Sequence, residues 1–234
     1  VSGGRQKREN SVKVTAAKPG EVPRAVRKYL EDKGMKPSWD WDEVWQEEHA
    51  AAFTVAKAMG KDVLATLRDA VDRAVADGQT FAEFKKRLRD VLAALGWWGV
   101  QTVKNPKTGK PETVELGTPR RLKTIYVTNA RVARAVGQWY RIQRTKDDLP
   151  YLLYELGPSQ RHREQHEKWA GTILPVDDPA WGRMFPPNGW GCKCRVRQLS
   201  QRQADRKGGE TTAPDTGGID PEWAYNPGSA PRRV

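Results

Sequence analysis

The sequence predicts an α+β protein, with an N-terminal helical bundle followed by a long basic helix and a small mixed module of short antiparallel strands. Three observations support this prediction. Apolar residues recur at helical spacing through much of the first hundred residues. Residues 118–148 continue that spacing in one long stretch rich in basic side chains. Between residues 150 and 200 the apolar runs become short and are bounded by turn residues, which is typical of strands.

The composition is that of a polar chain with a modest core and a strong positive charge. Of 234 residues, 37% are hydrophobic and 30% are charged, and the net charge is +12. The sequence has no apolar run long enough to cross a membrane, and residues 1–10 show no secretory signal. Two cysteines do not make a disulfide framework, so a reducing compartment is expected. The charge points to a polyanionic partner, with nucleic acid the first candidate.

Helix caps and the spacing of apolar residues predict the secondary structure of the first hundred residues. Residues 1–20 are polar, and we expect them to form a disordered basic arm. Residues 21–98 are expected to be helical, with predicted helices over residues 21–34, 38–60, 61–78 and 80–96. Thr80 followed by Glu83 has the pattern of a capping box at the start of the last helix. The apolar stripe of that helix consists of Phe81, Phe84, Leu88, Val91, Leu92 and Leu95.

Residues 99–117 change from helical spacing to alternation on both sides of an Asn-Pro-Lys-Thr-Gly-Lys-Pro stretch. Asn, Pro and Gly favour the backbone angles of tight turns. The sequence therefore predicts a β-hairpin here.

Residues 118–148 form the longest predicted helix, with Thr118 as N-cap and Pro119 at the first position. One side is apolar and includes Tyr140, and the opposite side is basic. From residue 120 to residue 146 there are eight basic side chains and no acidic one, whereas an ordinary solvated face carries both signs. Such a face can contact phosphates without reading base sequence. The candidate DNA-binding residues are Arg120, Lys123, Arg131, Arg134 and Arg141.

Residues 118–200 are assigned to one core module that combines this helix with short strands. The strands are expected over residues 151–158, 172–176 and 193–199. Residues 201–234 are polar, and we expect an irregular tail that only Trp223 and Tyr225 could anchor.

Two cysteines and two histidines form two closely spaced pairs, His162 with His166 and Cys192 with Cys194. On a helix the histidines would share one face, and in a strand the cysteines would point to one side. Two imidazoles and two thiolates make a tetrahedral zinc set. The sequence therefore predicts a structural zinc site that stabilises a small module. The alternative is a pair of reduced, buried cysteines beside a histidine that only hydrogen-bonds.

Hydrolysis is the second interpretation of these residues. Zinc metalloproteases carry a glutamate next to one histidine of the pair, whereas Glu164 lies midway between His162 and His166 and would point away from them on a helix. A Cys/His dyad is a further option. Two cysteines that flank Lys193 favour a structural role, so we assign no catalytic residue. A metal- or Cys/His-dependent nuclease or protease stays as the alternative function.

The same region carries a longer motif. Arginines spaced R-x-R precede a histidine and a glycine, an Asp-rich turn follows, and a Pro-Pro segment leads to Cys-x-Cys. This pattern resembles the phage Mu protein F-like head morphogenesis family, the minor head proteins of tailed phages. The resemblance extends over about residues 119–228, with Lys193 where arginine is usual. The matching residues are Arg161, Arg163, His166, Gly171, Asp177, Asp178, Trp181, Pro186, Pro187, Cys192 and Cys194.

The resemblance implies a low-copy component of the virion head that is present in the host cytoplasm during assembly. Its implied partners are the portal and/or the major capsid protein, with nonspecific contact to packaged DNA and no membrane partner. The helical N-terminal third, outside the resemblance, is the candidate docking region. Modules of this family also occur attached to toxin domains, so a delivered effector is a third interpretation.

Overall fold

The computed structural model describes residues 24–40 and 52–229, and its fold is α+β, as the sequence predicts. The predicted basic arm over residues 1–20 lies outside the described residues. The helices are α1 (Arg24–Glu31), α2 (Lys61–Asp77), α3 (Phe81–Ala94), α4 (Pro119–Thr145), α5 (Glu164–Trp169), α6 (Trp181–Met184) and α7 (Gln201–Asp205). The strands are β1 (Gly34–Met35), β2 (Ala52–Phe53), β3 (Val100–Lys104), β4 (Pro111–Glu115), β5 (Tyr151–Glu155), β6 (Ile173–Pro175) and β7 (Arg195–Leu199).

Helices α1, α2 and α3 form where the sequence predicts them. Helix α2 ends at Gly78, whose φ of 65° lies in the left-handed region that glycine adopts freely. The capping box of α3 is present, because the Thr80 hydroxyl accepts from the Glu83 N–H while the Glu83 carboxylate accepts from the Thr80 N–H. The buried stripe of α3 is narrower than predicted, since Val91 and Leu95 are exposed. Its buried members are Phe84, Leu88 and Leu92.

The predicted helix over residues 38–60 is wrong in the part that the structure describes; residues 41–51 lie outside it. Residues 52–60 contain β2 and an irregular segment, and β2 pairs in parallel with β1. Phe53 and Val55 are both buried against α2 and α3, with the spacing of an extended chain. Packing in the folded protein therefore overrides the helix propensity of this alanine-rich stretch.

The hairpin predicted over residues 99–117 is present, with β3 and β4 paired antiparallel. The Asn105 side chain accepts a hydrogen bond from the Lys107 N–H, and Gly109 has a φ of 70°. The predicted turn residues thus close the loop. Val114 is buried, so one face of the hairpin packs on the helices.

Helix α4 takes part in both large apolar cores. Its N-terminal turns, with Leu122 and Ile125, belong to the N-terminal core, which also contains the buried side chains of β2, α2, α3 and the hairpin. Its later turns, with Val136 and Ile142, belong to the C-terminal core, which also contains the buried side chains of α1, β5 and the segments after it. Tyr140, predicted on the apolar side, is instead 50% exposed. Within the described ranges, no helix combines the length and apolarity needed to span a bilayer.

Strands β5, β6 and β7 form an antiparallel sheet in the order β6-β5-β7. Leu152 and Tyr154 of β5 face the C-terminal core, whereas Leu153 faces a smaller cluster on the other side, which includes Ala204 of α7. The three predicted strands are therefore present. Strand β7 begins at Arg195, so the prediction that the cysteines lie in a strand is wrong and they occupy the loop before it.

The segment after residue 200 is less irregular than predicted, because α7 forms its first turn with a capping box from Ser200. Further along, Trp223 and Tyr225 are both buried, as their predicted anchoring role requires. Gly228 lies directly against Trp139 of α4, where a Cβ would come within 2.3 Å of the Trp139 Cβ. The end of the described chain is thus packed on α4.

Candidate metal centre

Three chemically active side chains converge between α5 and the loop before β7. His166 Nδ1 lies 3.5 Å from Cys194 Sγ and 4.0 Å from Cys192 Sγ. The three candidate ligand atoms all lie within 4.8 Å of one another. His166 and Cys192 are buried, and Cys194 is partly buried. In the described part of the chain, these residues form the one group of three or more His, Cys, Asp or Glu side chains close enough to share a metal ion.

The His166 imidazole is held in one orientation by a carbonyl group and two aromatic rings. Its Nε2 lies 3.2 Å from the Asn188 carbonyl oxygen. Because a carbonyl can only accept, Nε2 carries a proton, and Nδ1 is the ring nitrogen that faces the two sulfurs. The ring stacks on Trp169 with a centroid distance of 5.3 Å and meets Tyr154 edge-on at 6.5 Å. The residue that carries this carbonyl is itself fixed, since Asn188 Nδ2 donates to the Arg183 carbonyl.

The two thiols differ in their electrostatic surroundings. A hydrogen bond from Cys192, assisted by His166 and Tyr154, lowers the pKa of Cys194 against the opposing effect of burial. The same Cys192–Cys194 hydrogen bond, together with burial, raises the pKa of Cys192. Burial is also the main cause of the raised pKa of Tyr154. Cys194 is therefore the sulfur that most readily becomes a thiolate, and Tyr154 stays a neutral phenol beside it.

Close backbone approaches fix the loop that carries the cysteines. A Cβ at Gly157 would lie only 1.8 Å from the Lys193 carbonyl oxygen, so only glycine fits there. Arg163 Nη2 donates to the Trp190 carbonyl at 2.8 Å. The Arg163 guanidinium also lies against Gly189, whose φ is 133°. The segment before α5 and the cysteine loop thus hold each other in place.

Other residues of the predicted motif shape the turns around the centre. Gly171 has a φ of 88° at the turn after α5. The Asp178 carboxylate accepts from the Ala180 N–H at 2.8 Å, just before α6 begins. Trp181 is fully buried, and its indole N–H donates to the Pro175 carbonyl. These contacts connect β6 to α6 and give the motif residues a structural role.

The rest of the motif flanks the cysteine loop. Pro186 and Pro187 are buried, are joined by a cis peptide bond and lead directly into Asn188. Arg161 is exposed and lines a shallow surface depression together with Lys193.

His162 does not belong to the cluster, and the prediction that it shares a helical face with His166 is wrong. Helix α5 begins at Glu164, so His162 precedes it, and the His162 Nε2 lies 2.8 Å from the Gly157 carbonyl oxygen. Glu164 points away from the cluster, as predicted, and forms an exposed ion pair with Lys168 at 2.7 Å. The described residues therefore place one histidine, not two, with the cysteines.

Tyr154, Asn188 and Gly157 are site residues that the sequence analysis did not identify. Asn188 followed by glycine is a turn signal, and alternation in β5 could have placed Tyr154 on the core face. Gly157 gives no comparable signal, because its importance comes from contact with Lys193, a residue far along the chain.

The five candidate DNA-binding residues lie along α4. Arg120, Lys123, Arg134 and Arg141 are exposed, and Arg131 is half-buried. Within residues 24–40 and 52–229, none of the five forms an ion pair with an acidic side chain. Arg121 is different, because its guanidinium donates to the Glu115 and Leu116 carbonyls and is partly buried.

Comparisons with known proteins agree with the motif. The family model described as "Phage Mu protein F like protein" matches residues 65–197, more than half of the chain. The Putative capsid assembly protein F of Escherichia phage Mu is 37% identical over 240 residues, which cover 89% of this chain and 54% of that protein. The Mu-like prophage FluMu F protein of Haemophilus influenzae is 39% identical over 181 residues, which cover 77% of this chain and 42% of that protein. The chain spans about half the length of these curated relatives. No solved structure matches it.

Proposed function

Because the chain belongs to the phage Mu protein F-like family, we propose that it acts in phage head assembly as a structural component that binds the portal and/or the major capsid protein. The phage Mu relative carries the name capsid assembly protein F, which supports this function. We assign this function to the region that the chain shares with these relatives. It operates in the host cytoplasm during assembly and in the virion head afterwards.

The observation that carries the proposal is that the family motif is used to hold the module together. Arg163 donates to the Trp190 carbonyl, and the indole of the buried Trp181 donates to the Pro175 carbonyl. Glu164, the acidic residue between His162 and His166, is exposed and paired with Lys168 outside the cluster. These contacts give the motif residues a structural role, which supports a folded assembly unit.

Packaged DNA is the second proposed contact of this protein. The basic face of α4, defined by Arg120, Lys123, Arg131, Arg134 and Arg141, is mostly exposed. Its cations have no acidic partner in the described ranges, so phosphates would not have to displace one. We expect contacts to the DNA backbone rather than to base edges.

The docking surface that we propose lies on α3. Val91 and Leu95 are one helical turn apart and are 46% and 40% exposed. Exposed apolar side chains that share a helix face are suited to contact with another protein. We assign this surface to the portal or the major capsid protein.

Co-expression with the portal and major capsid proteins of the same phage tests the proposal. The unmodified chain should co-purify with at least one of them, and the pair Val91→Asp and Leu95→Asp should weaken that capture. The matched control is Met59→Asp with Tyr140→Asp, which changes two exposed apolar residues elsewhere. Normal yields of DNA-filled heads in the absence of the protein would contradict the assembly function. Equal capture of both double variants would contradict only the α3 surface.

A further inference from the structure

We propose that His166, Cys192 and Cys194 bind one zinc ion, which fastens α5 to the loop before β7. The proposal goes beyond a role in head assembly, because it concerns how this module is held together. It assigns His166 Nδ1 and the two sulfurs as protein ligands. The site would connect segments 26 and 28 residues apart in sequence, in a region with little regular structure.

The spacing of the three atoms suits zinc. Zn–S bonds are about 2.3 Å and Zn–N bonds about 2.0–2.1 Å, so a tetrahedral site places nitrogen and sulfur about 3.5–3.6 Å apart. Cys194 Sγ already lies 3.5 Å from His166 Nδ1. Cys192 Sγ, at 4.0 Å, has to move by only a few tenths of an ångström. Both nitrogen–sulfur distances are therefore close to those of a bound zinc ion.

The direction of the His166 ring is the second, independent observation. The residue is 3% exposed, and its Nε2 is engaged by the Asn188 carbonyl. This leaves Nδ1 as the ring nitrogen available to a metal, in a buried position facing the two sulfurs. Zinc-binding histidines commonly have this arrangement, with the second ring nitrogen donating to a carbonyl. A cation between Nδ1 and the sulfurs would satisfy all three groups.

The surroundings favour zinc over harder cations. Two sulfurs and one imidazole are ligands that zinc prefers, whereas Mg²⁺ and Ca²⁺ prefer oxygen. The described residues therefore supply three of the four ligands of a tetrahedral site. We assign the ion a structural role, since Glu164 is exposed, pairs with Lys168 and does not face the cluster.

The test uses the whole chain, purified with a non-thiol reductant, stripped with a chelator and then titrated with Zn²⁺ alone. Elemental analysis should find one zinc per chain, and the thermal midpoint should rise with zinc concentration, because the ion binds the folded state. Substitution by Co²⁺ should produce the intense sulfur-to-cobalt absorption of a tetrahedral thiolate site. These measurements on the unmodified protein do not depend on whether any variant folds.

Variants identify the ligands. Cys192→Ser, Cys194→Ser and His166→Gln should each lower zinc affinity by more than about 100-fold, since even supporting residues of metal sites cost about 10–100-fold. His162→Gln is the matched control and should bind zinc normally, because His162 lies outside the cluster. The proposal is overturned if the unmodified chain binds no stoichiometric zinc, if His166→Gln keeps it, or if His162→Gln loses it equally. A Cys192–Cys194 disulfide that persists under the reductant would also overturn it. None of these results bears on capsid binding, so this proposal and the assembly proposal can fail separately.

Discussion

Gly157 lies directly against the backbone of Lys193, and the space between them is too small for any side chain at position 157. A Cβ there would lie 1.8 Å from the Lys193 carbonyl oxygen and 2.3 Å from its carbonyl carbon. The contact places the residue between the two cysteines against the chain that leaves β5. The position of the cysteine loop therefore depends on the smallest residue of the segment before α5.

Gly157→Ala should lower the free energy of unfolding by about 2–3 kcal/mol, because the added methyl group must push backbone apart. Urea denaturation followed by circular dichroism measures the change. Gly182→Ala is the control, since a Cβ at Gly182 would meet nothing within 4 Å. We expect the control to stay within about 0.5 kcal/mol of the unmodified protein. Equal stability of the two variants would show that the loop can shift away from position 157.

Charge reversal at Arg131 and Arg134 should weaken binding to nonspecific duplex DNA and reduce its salt dependence. Loss of two phosphate contacts lowers the slope of log K against log salt by about 2. Fluorescence anisotropy at several salt concentrations measures both effects. Lys85→Glu with Lys86→Glu is the control, because it changes the net charge equally at exposed positions on α3 instead of α4. Binding that ignores ionic strength, or that weakens equally in both variants, would contradict a contact at α4.

Arg121→Lys should destabilise the protein by about 2 kcal/mol, since a single ammonium cannot replace several hydrogen bonds from a guanidinium to backbone carbonyls. The Arg121 guanidinium donates to Glu115 and Leu116 and lies 5.0 Å from the Trp97 ring. Thermal and urea unfolding measure the loss. The neighbouring Arg120→Lys changes an exposed arginine and should have almost no effect. Similar losses of stability in both variants would mean that the hydrogen bonds of the Arg121 guanidinium contribute little to the stability of the fold.

Lys33→Met should change how stability depends on pH. Burial lowers the pKa of Lys33 to about 8, against an ordinary value of 10.5. The unfolded chain therefore binds more protons between these two values, and the contribution of Lys33 to stability rises with pH across that window. Below pH 8 the buried charge costs up to about 3 kcal/mol, which the variant avoids.

The expected result is that Lys33→Met is more stable than the unmodified protein at pH 7, and that this advantage shrinks between pH 8 and pH 10.5. Urea midpoints of the two proteins at matched pH values provide the comparison. A difference that stays constant over the window would show that Lys33 does not titrate with a lowered pKa.

Local sequence signals predicted the helices that local chemistry specifies. The Thr80–Glu83 capping box and the Thr118 N-cap are both present where expected. The same kind of signal gave a wrong helix over residues 52–60. Their alanine content favours a helix, whereas Phe53 and Val55 are buried as part of an extended segment. A short parallel pairing with β1 decides the outcome, and no local pattern encodes it.

The candidate centre was also predicted only in part, because some of its residues leave a local signal in the sequence and others do not. Cys192, Cys194 and His166 were identified from their rarity and spacing, and the fold brings them together. His162 was wrongly included, since the start of α5 falls after it. The Asn188 carbonyl was missed, because a backbone oxygen leaves no trace in the residue type.

Helix α4 borders both the N-terminal and the C-terminal core. With 27 residues it extends about 40 Å, at about 1.5 Å per residue. If one core unfolded while α4 stayed helical, the apolar side chains that α4 contributes to that core would be exposed to water. Calorimetry should therefore record a single cooperative transition rather than two, and a cut within α4 should unfold both halves together.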